Sequence, residues 1–133
     1  MFEIFIIKSN SQRILRVPIR ALKVTEKSHE FKIILTSAKA ENGTDIAQKL
    51  IENRLAACVQ IAPIHSFYEW QGKVCEDDEV LLIIKTRARL FADVQNFILT
   101  KHQYEIPEII SIPIENGFAP YLNWISQNTK APE

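Results

Sequence analysis

LAACVQIAPIHSFYEWQGKVCEDDEVLLIIKT, residues Leu55 to Thr86, consists of two apolar runs joined by a turn signal at Gln71, Gly72 and Lys73. It reads as one β-hairpin whose arms are each more than twice the usual strand length of about 5 to 6 residues. Arms of that length overhang a small domain. Because soluble proteins avoid long exposed strand edges, the overhang predicts pairing with another subunit, and hence an oligomer. Pro63 has no N–H to give to a ladder, so it predicts a bend or bulge in the first arm.

Outward from the hairpin, Glu30 to Thr36 alternates as a strand, and Ser37 to Gly43 carries the residues expected to end it. From Thr44, the apolar residues Ile46, Ala47, Leu50, Ile51 and Leu55 recur at helical spacing, with Asn42 or Thr44 as the cap and Asp45 in the first turn. After the hairpin, Leu90, Phe91, Val94, Phe97 and Ile98 share one helical face. His102 to Glu108 forms a connector, Glu108 to Glu115 alternates as a short strand placed at an edge by Pro113, and a last short helix carries Pro120 near its start. The tail from Lys130 is expected to be loose. The order of strand, helix, strand, strand, helix, strand is the ferredoxin-like βαββαβ arrangement of an α+β fold, here followed by a short C-terminal helix. That fold hosts enzymes, RNA-binding modules and regulators alike.

The chain has 133 residues, enough for one domain, which we place at residues 31–133 with residues 1–30 as an N-terminal extension. The extension carries six basic residues against three acidic ones. It reads either as an extra hairpin, with Ile14 and Leu15 opposite Phe2 to Ile7 and Pro18 at an edge, or as a targeting segment built on Arg13, Arg16 and Arg20. The first reading suits a cytoplasmic protein and the second an organellar one. The whole chain balances 16 basic with 16 acidic side chains, which gives no nucleic-acid footprint. The second hairpin arm, EVLLIIKT, lacks the stacking aromatics of an RNA-recognition strand. No apolar stretch approaches the about 20 residues of a membrane span. Cys58 and Cys75 are no disulfide framework and read as reduced thiols.

Three clusters bear on chemistry. Ser66, Tyr68 and Trp70 alternate along the first arm and so share a face, which on an overhanging arm is suited to an interface. Glu76, Asp77, Asp78 and Glu79 lack the spacing and glycine of a calcium loop and read as a solvated charge run. His102, with Glu105 and Glu108 three and six residues on, suits a borderline metal such as zinc or copper. The same trio suits general acid–base work, or an ion-pair network if Lys85 reaches the carboxylates. The three glycines are isolated, so no phosphate loop exists, and no Ser, His, Asp arrangement supports an enzyme.

LAACV (Leu55 to Val59), S-x-Y-x-W-x-G-K (Ser66 to Lys73), EVLLIIKT (Glu79 to Thr86), H-x-Y-E-x-P-E (His102 to Glu108) and YLNW (Tyr121 to Trp124) together resemble the CutA family of divalent-cation tolerance proteins over residues 31 to about 126. The resemblance implies a non-enzymatic ferredoxin-like protomer in a PII-like homotrimer built by long hairpins, with a role in tolerance of copper or other divalent cations. It implies low-affinity contact with Cu2+ or Zn2+ at His102, Glu105 and Glu108, beside a cleft lined by Tyr68, Trp70, Lys85, Tyr104 and Trp124. A small-molecule sensor or scaffold using clefts between subunits is the alternative. Two departures matter. Gln103 stands where the family usually has proline, which predicts a less rigid connector. Leu35 and Lys101 stand where members with proposed copper ligands have cysteine and a second histidine, which leaves His102 alone.

Overall fold

A computed structural model of the chain describes residues 3–7, 14–18 and 30–132. Within the extension, β1 (Glu3–Ile7) and β2 (Ile14–Pro18) pair antiparallel as a separate two-stranded sheet, with Ile7 opposite Ile14. Pro18 ends β2 opposite Glu3. Arg13 and Arg20 of the targeting reading lie outside the described residues.

The main body runs β3 (Phe31–Ala38), α1 (Ala40–Glu52), β4 (Cys58–Trp70), β5 (Lys73–Arg87), α2 (Phe91–Lys101), β6 (Ile110–Pro113) and α3 (Ala119–Gln127). Its sheet has the order β4-β5-β3-β6, all antiparallel, which is the ferredoxin-like α+β arrangement with a further helix appended. The hairpin dominates it. β4 and β5 are 13 and 15 residues long, about 45–50 Å of strand, and Gln71 and Gly72 join them with φ of 50° and 78°. Two positive φ values in a two-residue loop make a type I′ turn, whose twist matches that of the strands it connects.

Alternation along β3 and β5 divides the sheet into two faces. Ile34, Thr36, Ala38, Leu82, Ile84 and Thr86 are buried, and Ile34, Leu82 and Ile84 pack with Ile46 and Leu50 of α1 and Val94 and Ile98 of α2. Each such side chain withdrawn from water contributes about 1.5–3 kcal/mol. On the other face, Ile33, Leu35, Leu81 and Ile83 stay half-buried, flanked by exposed Ile110 and Ile112 of β6. α3 covers one end of that face, with Ile125 and Leu122 against Phe31 and Ala57.

Three expectations are corrected. α1 starts at Ala40, after Lys39, and not at Thr44. Asn42 is buried inside the helix with its side chain committed elsewhere, Thr44 donates back to the Ala40 carbonyl at 3.0 Å, and neither is a cap. Gly43 lies within the helix because a Cβ there would sit 2.6 Å from Val80 Cγ2, so its lack of a side chain sets how closely α1 meets β5. Pro63 opens no bulge, because it faces Val80 in unbroken register. It is accommodated because β4 is the outer strand of the sheet, where half the N–H groups face away from β5.

Candidate functional site

A cavity of about 500 Å³ opens between the tip half of the hairpin and the connector from α2 to β6. Ser66, Tyr68 and Trp70 reach it from β4, Glu79 from β5, Ser37 from the end of β3, and Tyr104, Glu105, Ile106 and Glu108 from the connector, with Phe67 at its margin. Strand alternation explains the first group. Ser66, Tyr68 and Trp70 are two residues apart and pair with Asp77, Cys75 and Lys73, so their side chains leave the ribbon on the same side as those of Asp77 and Glu79.

The walls are held in place by hydrogen bonds. The Tyr68 hydroxyl donates to Asp77, whose other carboxylate oxygen lies 3.2 Å from Lys39 Nζ. The Asp77 hydrogen bond pushes the Tyr68 phenol up to about 12. In return, the Tyr68 hydroxyl, then Lys39, holds the Asp77 carboxyl below its ordinary value. Tyr104 donates its hydroxyl to Glu79 Oε2 at 2.6 Å, and burial, reinforced by that carboxylate, raises its phenol strongly. Glu79 is only 8% exposed. Among the described residues it makes no ion pair, and the Tyr104 bond is the one side-chain hydrogen bond it has.

The connector is tied down at its start. His102 Nε2 donates to the Ser37 carbonyl at 2.7 Å, while its Nδ1 accepts the Tyr104 N–H at 3.0 Å. Both ring nitrogens are therefore engaged by backbone, which leaves neither lone pair for a metal. Asn42 laces the same region to α1, with Nδ2 donating to the Lys101 carbonyl at 3.0 Å and Oδ1 accepting the Gln103 N–H at 3.2 Å. A proline at 103 has no N–H to offer, so the departure at Gln103 adds a restraint here, contrary to the looser connector expected from it.

Of the residues singled out from the sequence, Tyr68, Trp70, Tyr104, Glu105 and Glu108 meet in the cleft. His102 stands behind it as a fastener. Among the described residues no three side chains of His, Cys, Asp or Glu gather closely enough to hold a metal ion, so His102, Glu105 and Glu108 do not form a coordination set within one chain. Lys85 pairs with Cys58 and gives its ammonium to Gln60, whereas Tyr68 pairs with Cys75. Ten residues of β5, about 33 Å, separate the two positions. Within one chain, Lys85 therefore neither lines this cleft nor reaches Glu105 or Glu108. Trp124 stacks on Tyr121 with ring centroids 5.7 Å apart, on the helix that covers the Phe31 end of the sheet, away from Ser37.

Sequence reasoning missed Glu79 and His65, which the acidic run concealed. Alternation separates that run into two sets. Asp77 and Glu79 face the cleft, while Glu76 and Asp78 face the opposite side and grip His65, Asp78 Oδ1 lying 2.7 Å from Nδ1 and Glu76 on Nε2. The hydrogen bonds that its ring gives to Glu76 and then Asp78 raise the His65 pKa above its ordinary value. Period-two counting across the hairpin register identifies both sets.

No helix among the described residues is long and apolar enough to cross a membrane. The family model for CutA1 divalent ion tolerance protein matches residues 31–128. Protein CutA of Mus musculus is 47% identical over 88 residues, covering 65% of this chain and 50% of its own length, so the chain spans about half of that relative. The divalent-cation tolerance protein CutA of Thermus thermophilus is 42% identical over 98 residues, covering 73% of this chain and 95% of its own. Among solved structures, the periplasmic divalent cation tolerance protein CutA from Archaeoglobus fulgidus superposes with a TM-score of 0.74 at 40% identity, over 75% of this chain and 99% of that one. CutA1 from Oryza sativa gives 0.75 at 38% identity, over 77% and 96%. A matched family model over most of the chain, together with relatives of the same fold along nearly their whole length, establishes that this protein belongs to the CutA1 divalent ion tolerance family.

Proposed function

We propose that the chain is a homotrimeric divalent-cation tolerance protein that acts by binding and not by catalysis, with the cleft between hairpin and connector as its ligand site. The observation that carries this reading is the lining of the cleft. Aromatic rings and the carboxylates of Glu79, Glu105 and Glu108 line it, and among the described residues of one chain no Lys, Arg or His is in the lining. Carboxylate oxygens are donors that divalent cations accept. Because they form no closed set within one chain, contact with Cu2+ or Zn2+ is weak and reversible, carried by Glu105 and Glu108.

Assembly is supported by the half-buried apolar face of Ile33, Leu35, Leu81 and Ile83, and by Phe67 and Val74 on the hairpin, which are 67% and 82% exposed. Exposed apolar area of this kind is covered in stable assemblies. A cytoplasmic setting suits the two free cysteines, an organellar one the basic extension.

Native mass spectrometry is expected to give a trimer. In zinc and copper titrations, Glu105→Gln/Glu108→Gln is expected to weaken binding and His102→Ala to leave it within about threefold, a difference of about 0.7 kcal/mol. Loss of binding in His102→Ala alone overturns the assignment. A cavity of this size also favours the second reading, a sensor of a small organic molecule, since ligand pockets run from about 300 to 1,000 Å³.

A further inference from the structure

We propose that a groove on the helix side of the sheet is a receptor for a small organic oxyanion, a carboxylate or phosphate ester with an apolar body. The groove has a volume of about 440 Å³ and lies between the C-terminal end of α1, the exposed side of α2 and the residues that follow α3. It is set apart from the hairpin and from the open sheet face to which assembly is assigned. Leu55 and Leu90, at its floor, belong to the core packed between sheet and helices. Arg89, in its wall, follows the end of β5 that pairs with Phe31, the far end from the turn at Gln71 and Gly72.

Charge selects the ligand. Arg89 and Lys130 line the groove, and Arg54 and Arg87 adjoin it, yet none of these cations forms an ion pair among the described residues. Asp93 is the one acid in the lining. The arginines are instead spent on carbonyls at the end of α3, which holds the wall in place. Arg54 Nη2 donates to the Gln127 carbonyl at 2.6 Å, and Arg87 donates to the Ser126 carbonyl and, at 3.0 Å, to Thr129 Oγ1. Arg54 does this from the first position past the cap of α1, with φ of 55°, where glycine is the usual residue. Arg89 Nη2 donates to the Lys130 carbonyl, and the Lys130 N–H to the Arg54 carbonyl at 2.8 Å. One nitrogen of the Arg89 guanidinium is thus used, and the remaining donors of the fork are left for a ligand. That fork matches a carboxylate or phosphate, to which Lys130 adds a point charge. The Asn96 amide supplies neutral donors, and half-buried Phe97 over Leu55 and Leu90 receives an apolar body. A divalent cation meets a single carboxylate here, and a neutral molecule leaves the cations unused. Fixed walls reduce the ordering cost of binding.

The test titrates isotope-labelled full-length protein with phenyl phosphate, benzoate and benzyl alcohol, and follows the Asn96 side-chain amide and the Lys130 backbone amide by NMR. Saturable shifts are expected for both anions at concentrations at least about tenfold lower than for the alcohol, with the more highly charged phosphate the tighter. Lys130→Gln, which keeps the backbone bonds of the wall, is expected to weaken phenyl phosphate about fivefold, and Arg89→Gln about tenfold. Asp93→Asn, at an exposed position, is expected to tighten it about threefold, a direction that a loosened wall would not give. None of the three moves the alcohol. Glu105→Gln/Glu108→Gln is expected to leave phenyl phosphate binding unchanged, since those carboxylates belong to the other cleft. Equal binding of phosphate and alcohol, phosphate binding that Lys130→Gln does not lower and Asp93→Asn does not raise, or the absence of saturable shifts at Asn96 and Lys130 overturns the proposal.

Discussion

Thr36 of β3 and Thr86 of β5 are both fully buried on the helix-facing side of the sheet, and the same substitution is expected to move stability in opposite directions. Thr86 Oγ1 donates to the Leu55 carbonyl at 2.6 Å, whereas Thr36 Oγ1 has no partner among the described residues. Valine has nearly the shape of threonine and a strong strand preference, so the hydroxyl is the main thing removed. Removing an unpaired buried hydroxyl recovers a desolvation cost of about 1–3 kcal/mol. Thr36→Val is therefore expected to stabilise by about 1 kcal/mol, the lower end of that range. Thr86→Val loses a hydrogen bond and strips the Leu55 carbonyl of its donor, a loss of about 1–3 kcal/mol. Near the midpoint of unfolding, each kcal/mol corresponds to about 4 °C for a domain of this size. Guanidinium and thermal unfolding, run at one fixed protein concentration because association contributes to stability, are expected to separate the two variants by about 2–4 kcal/mol with unchanged m. A Thr36→Val protein that is less stable than the parent would refute the reasoning, since it would mean that the hydroxyl has a partner in solution.

Gly43→Ala tests the α1–β5 contact. A mid-helix alanine gains about 1 kcal/mol in helix propensity, but the added methyl lies 2.6 Å from Val80 Cγ2 and 3.0 Å from Leu82 Cδ1, an overpacking that costs about 1–3 kcal/mol. The net expectation is a loss of about 1 kcal/mol, relieved in Gly43→Ala/Val80→Ala, and an alanine variant with a higher melting temperature contradicts it. His65 gives a pH dependence. Its folded pKa lies above the ordinary 6.5, so its stabilising contribution is complete below 6.5 and is lost as pH rises through the raised folded value. NMR titration is expected to place the His65 midpoint above 6.5, and His65→Gln to flatten this part of the stability profile. An ordinary midpoint removes the clamp by Glu76 and Asp78.

What could be read from the sequence was whatever local pattern dictates. The hairpin, its turn, and the buried face of α2 all follow from period and turn chemistry, and Leu90, Val94 and Ile98 are buried as their spacing demands. The start of α1 did not follow, because Asn42 and Gly43 look like terminators locally and their use is tertiary, one lacing the connector and the other admitting Val80. The separation of Lys85 and Trp124 from Tyr68 within one chain was not legible for a related reason. Motif membership says nothing of distance along a sheet, and these residues occupy opposite ends of it. His102 had the chemistry of a ligand, and only the geometry of Ser37 and Tyr104 shows that its ring is already committed.

The Asn42 amide joins two carbonyl and amide groups that flank His102 in the chain, one through each of its own polar atoms. A proline restrains a loop by narrowing what the unfolded chain can do, and needs no neighbour. A hydrogen bond from Gln103 restrains it only while position 42 carries an acceptor. Sequence change at these two positions is therefore coupled in one direction. Where proline stands at 103, asparagine 42 has only the Lys101 carbonyl left to hold, but glutamine at 103 makes the connector, and with it the Tyr104 wall of the cleft, dependent on a residue in a different helix.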